Sequence, residues 1–129
     1  MNIKRFLCML VASVMLCTSV CFAASEAPAK PGKPEVVTTK QTKSYYSLTA
    51  RVGKVKKATS YEFQAVCSDS PNYKYTYSTS SPSWKRKWNR EEFDYKVKFR
   101  ARTARKVKGK TYYSGWSKWS DKVKVHKKK

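Results

Sequence analysis

The chain has 129 residues, with 29 Lys or Arg against 8 Asp or Glu and a formal net charge of +21. That length fits one domain burying roughly two-thirds of its unfolded surface, and argues against a multi-domain enzyme with a large cleft. Disorder is the usual reading of such charge, but nine Tyr, four Trp and five Phe supply the material for a core.

Residues 1–23 read as a secretory signal. Lys4 and Arg5 give the positive start, FLCMLVASVML over 6–16 the apolar run, and Cys21-Phe22-Ala23 small residues at both cleavage-defining positions. Leu16 and Val20, which precede Cys17 and Cys21, are too large for a good lipoprotein cleavage site. A membrane contact is expected only through an uncleaved signal, since no second apolar run follows. Cleavage leaves 27 Lys or Arg against 8 Asp or Glu, a net charge of +19. It also leaves Cys67 alone, so no internal disulfide is expected, and Cys67 reads as a small buried apolar residue. The expected location is secreted, extracellular or cell-envelope associated, and the expected state is a monomer.

Residues 24–34 (ASEAPAKPGKP) hold three of the five Pro and lack apolar periodicity, the texture of an extended, solvated linker. Beyond it the pattern alternates. Tyr46, Leu48, Ala50 and Val52 alternate with polar residues, and Tyr61, Phe63, Ala65 and Cys67 alternate with Glu62, Gln64 and Val66. The same holds for Tyr73, Tyr75 and Tyr77, for Tyr95, Val97, Phe99 and Ala101, and for Val123 and Val125. Period two puts apolar side chains on one face of a strand and charge on the other. Turn signals separate the runs at Gly53 with Lys56-Lys57, at 69–72, at 80–82 and at 108–110. Short strands spaced about 8–12 residues apart predict an all-β, seven-stranded antiparallel sandwich over 35–126, with 127–129 a basic tail.

These residues resemble a fibronectin type III domain of the kind found in bacterial extracellular proteins. The carrying pieces are PGKP at 31–34, VKKATSYEFQ at 55–64, YKVKFRAR at 95–102 and KGKTYYSGWSKWSDKVKV at 108–125. The resemblance implies an immunoglobulin-like topology. It also implies a Trp two residues after Leu48, where this chain has Ala50; the vacated core position falls to another ring, Trp84 or Trp88. The Leu implied six residues before the corner Tyr95 falls at Asn89, which predicts a rearranged turn there. Trp116-Ser117-Lys118-Trp119-Ser120 matches the WSxWS signature of class I cytokine receptors. That match implies two Trp rings interleaved with Arg100 and Arg102 of the neighbouring strand, Lys98 being next in line. A cytokine receptor itself is not expected from one domain without paired Cys.

Catalysis has little to stand on. His126, the single His, neighbours a terminal Lys run and is expected in a frayed end, so no nucleophile–base set forms around it. One Cys and one His far apart in sequence do not make a metal site, and Glu91, Glu92 and Asp94 read as a solvated turn. No Gly-rich phosphate loop is present, so no cofactor is expected. The informative feature is charge. Lys96, Lys98, Arg100 and Arg102 point outward from one strand, and with Trp116 and Trp119 they are the candidate binding residues. Such a face attracts polyanions by counterion release. The expected function is a non-catalytic module that binds an anionic polymer or a glycan at a cell surface. The alternative is a scaffold domain that binds an extracellular protein. Sequence-specific nucleic-acid recognition is not expected, because no recognition helix is present.

Overall fold

The alternating runs become strands in the computed structural model, which describes residues 26–129; the expected signal segment lies outside the described residues. The strands are β1 (Glu35–Gln41), β2 (Tyr45–Arg51), β3 (Ser60–Cys67), β4 (Ser70–Thr79), β5 (Ser83–Asn89), β6 (Tyr95–Val107), β7 (Lys110–Tyr113) and β8 (Val123–Val125). One sheet runs β1-β2-β5 and the other β4-β3-β6-β7, with β8 also on β6. Every pairing is antiparallel.

The strand count differs from the expected seven for a local reason. β7 pairs with β6 at Ala104–Val107 and β8 at Tyr95–Val97, both on the side of β6 away from β3. They are two ends of one edge line, parted by residues 114–122.

The core follows the period-two pattern. Phe63, Phe99, Leu48, Val97 and Val125 are fully buried, and Cys67 is buried beside them. Ala50 stands in register opposite Trp84 across β2 and β5. The Trp84 ring lies edge-on to Phe99 at 5.8 Å and tilted to Phe63 at 6.3 Å, so a ring from β5 fills space that Ala50 leaves. At the corner, the Tyr95 hydroxyl donates to the Asn89 carbonyl at 2.5 Å, fastening the start of β6 to the end of β5.

Three expectations need correction. The turn expected at 69–72 comes earlier, at Ser68 and Asp69, and β4 resumes at Ser70. A register shift between Ala65 and Cys67 moves the turn, and Pro71 is tolerated because β4 is an edge strand. The stretch at 26–34 is packed rather than solvated: Pro28, Pro31 and Pro34 are buried, and Thr103 Oγ1 donates to the Ala29 carbonyl at 2.7 Å. Glu26 lies 3.3 Å from Arg105, and Lys33 lies 2.6 Å from Asp121.

The C-terminal end is not frayed either. Arg90 is only 5% exposed, and its guanidinium donates to the carbonyls of Thr42, His126 and Lys127. The Lys127 N–H donates to Asp94, and the Lys128 N–H to the Glu91 carbonyl. Asp94 therefore fastens the tail, a role beyond relieving local charge, and that hydrogen bond holds its carboxyl below the ordinary range.

Candidate functional site

Residues 114–122 interrupt the edge strand without interrupting its bonding. The N–H groups of Ser114, Ser117 and Ser120 donate to the carbonyls of Thr103, Ala101 and Phe99 at 2.9, 2.8 and 2.7 Å. Their hydroxyls accept the N–H groups of the same three β6 residues, each at 2.9 Å. Each hydroxyl then donates to the carbonyl of the residue after it. A serine every third residue thus meets every second residue of β6, its side chain standing in for the strand carbonyl that the three-residue period turns away.

The same period carries Tyr113, Trp116 and Trp119 onto the outer face of the sheet, where Lys98, Arg100 and Arg102 of β6 stand between the rings. The Arg102 guanidinium lies 3.9 Å from the Tyr113 ring centroid and 4.7 Å from Trp116. Arg100 lies 4.6 Å from both Trp116 and Trp119, and the Lys98 ammonium 4.7 Å from Trp119. The six side chains form one stack.

The cations are also held from β3. Glu62 accepts from Arg102 at 3.0 Å, and Gln64 accepts from the Arg100 Nε at 2.9 Å. Burial first, and then the neighbouring Arg102 charge, lowers the Arg100 pKa. Each contact of a cation with an indole face contributes about 0.5–1 kcal/mol at an exposed site and more when desolvated. Five of the six candidate binding residues therefore meet in this stack. Lys96 stands outside it, exposed and opposite Lys124 across β6 and β8.

A second stack escaped the sequence reading. Arg86 pairs in register with the buried Leu48, so it shares the inner face of β5 with Trp84 and Trp88. Its guanidinium lies 4.2 Å from the Tyr75 ring centroid and 4.6 Å from Trp88. Tyr77 stacks on Trp84 at 5.5 Å and 14° between planes. The signal was present as W-x-R-x-W at 84–88, but an inward arginine contradicts the rule that charge alternates outward. Also missed were the lysines at the β2–β3 loop and the β6–β7 turn, which only the topology brings together. No protein-family model matches this sequence, and no curated protein is significantly similar to it.

Proposed function

We propose that the chain is a non-catalytic extracellular module, a monomeric β-sandwich of the fibronectin type III kind, that associates with anionic polymers or glycans at a cell surface. The strand order, the Tyr95 corner bond and the stacked rings beside β6 support the fold-family part of this reading.

The observation that carries the binding part is the charge left after the fold has made its ion pairs. Among the described residues, Arg51, Arg102 and Arg105 engage Glu35, Glu62 and Glu26, and Lys33 engages Asp121. The remaining carboxylates, Asp69, Glu91, Glu92 and Asp94, sit in the β3–β4 turn and the β5–β6 loop, at one end of the sandwich. The exposed lysines elsewhere stay unneutralised, and such a surface concentrates polyanions and releases their counterions on contact.

A second reading has its own observation. β4 is an edge strand, and its Tyr73 and Tyr77 are 59% and 46% exposed, a surface that suits a protein partner. Salt separates the two readings. Retention on an immobilised polyanion, with elution only at high salt and no retention on a neutral glycan, is the expected result. Flow-through at physiological salt would overturn the polyanion reading and turn attention to the β4 edge.

A further inference from the structure

We infer that the end of the sandwich formed by the β2–β3 loop and the β6–β7 turn is the contact surface for a linear polymer carrying phosphate groups, an assignment that rests on the polyanion reading above. The fold, rather than the sequence, assembles this surface. The Thr59 N–H donates to the Ala104 carbonyl at 2.8 Å, and Thr59 Oγ1 accepts the Lys106 N–H at 3.0 Å. These bonds bring Lys54, Lys56 and Lys57 to the same end as Lys106, Lys108 and Lys110, and all six are exposed. The Val52 N–H donates to the Pro82 carbonyl at 2.9 Å, placing the β4–β5 turn there too.

No carboxylate belongs to any of these three connections. Glu26, Glu35 and Glu62, which the fold brings towards this end, each engage an arginine. Four of the eight acidic residues gather at the opposite end, interspersed with the cations of the C-terminal tail and the β1–β2 turn, whereas the lysines of the loop end have no carboxylate among them.

The backbone adds an independent observation. Among the described residues, the non-glycine positions with positive φ are Lys57 at 72° and Lys108 at 51°, one in each of the two lysine-bearing connections. Asn and Gly fill that region with less strain, and residues held in it against preference cluster at functional sites. Lysine at both positions is consistent with a requirement for the ammonium.

The division between cations points to the chemical class. Arginines make three of the four ion pairs among the described residues and most of the ring contacts, where a planar fork fits a carboxylate or an indole face; Lys110 also lies 5.2 Å from the Tyr112 ring centroid. The cations within the two connections, Lys54, Lys56, Lys57 and Lys108, are all lysines, and Arg51 and Arg105 beside them are engaged by Glu35 and Glu26. An ammonium is a compact point charge that meets phosphate oxygens without the geometry that bidentate carboxylate recognition demands.

The test compares two full-length variants that lose equal charge. One carries Lys54→Gln, Lys56→Gln, Lys57→Asn, Lys108→Asn and Lys110→Gln. The other carries Lys40→Gln, Lys43→Gln, Lys74→Gln, Lys85→Gln and Lys124→Gln. Binding to long-chain inorganic polyphosphate is measured across a salt series, beside polygalacturonate as the carboxylate polymer. The loop variant is expected to lose roughly 0.7 from the slope of log Kd against log salt for each contacting lysine, and the control variant much less. Equal losses in both would overturn the loop assignment while leaving general polyanion binding intact. No polyphosphate binding by the parent would instead overturn the underlying reading. Equally tight binding of polygalacturonate would overturn the phosphate assignment. Lys57→Asn with Lys108→Asn alone relieves the backbone, so this pair is expected to melt no lower than the parent and still flatten the slope. An unchanged slope in that folded pair would overturn the inference.

Discussion

Along the β6 edge, Arg100 and Arg102 stand on the outer face between the exposed Tyr113 ring and the half-buried Trp116 and Trp119 rings, and each has an oxygen partner on β3. At the β4–β5 seam, Arg86 points inward between Tyr75 and Trp88, and no ion pair or hydrogen bond engages its guanidinium among the described residues. Trp84 and Trp88 are 7% and 4% exposed there, and the Trp88 Nε1–H is buried without an acceptor. The same chemistry therefore does two jobs. At the seam, the rings are core and the cation caps them where the two sheets part. At the edge, the serine bonds carry the backbone, and the rings and cations stiffen the face from outside.

The largest expected effect lies at the seam. Trp84→Ala removes a ring that touches Phe63, Phe99, Trp88 and Tyr77. It is expected to cost about 3–5 kcal/mol in urea unfolding. A loss under about 1 kcal/mol would mean the seam is not core and would erase the contrast.

At the edge, Ser117→Ala deletes the acceptor for the buried Ala101 N–H and the donor to Lys118. An unsatisfied buried N–H costs about 1–3 kcal/mol. Chemical denaturation measures that loss, and hydrogen exchange should show the Ala101 amide newly unprotected. Wild-type protection there would transfer the backbone role from the serines to the rings.

A smaller effect appears with alkali at the acidic end of the sandwich. Burial, with a smaller contribution from Asp69, pushes the Cys67 thiol from its ordinary value near 9 up to about 11, and burial pushes the Tyr95 hydroxyl higher still. Both folded pKa values are raised, so the stability these groups contribute is complete below pH 9. It falls as pH rises from about 9 toward 11, because the unfolded chain then releases protons that the fold retains. The expected loss is about 1–2 kcal/mol by pH 11. A urea midpoint constant from pH 8 to 11 would show that neither group is buried as described.

Period two predicted the strands of the core because burial on one face imposes it directly, as at Leu48, Phe63 and Phe99. The interleaving of Trp116 and Trp119 with Arg100 was legible through a motif, since alternate residues of one strand share a face. Arg86 and Arg90 were not legible. Each points a charge inward, and what makes that tolerable, ring faces for Arg86 and backbone carbonyls for Arg90, comes from segments distant in sequence. The packed stretch at 26–34 was missed because prolines carry no periodicity, yet they bury well in an extended chain with few N–H groups to satisfy. The lysine end was invisible for a third reason: its two parts lie about fifty residues apart and only the pairing of β3 with β6 joins them.

The most direct test of the edge stack is a double-mutant cycle on Arg100→Ala and Trp116→Ala, with stability read from urea unfolding of the parent, both single variants and the double variant. The structure predicts a coupling of about 0.5–2 kcal/mol, the range for a guanidinium over an indole that is partly withdrawn from water. Single losses that add to within about 0.3 kcal/mol would contradict it, showing that Arg100 and Trp116 lie side by side without supporting one another.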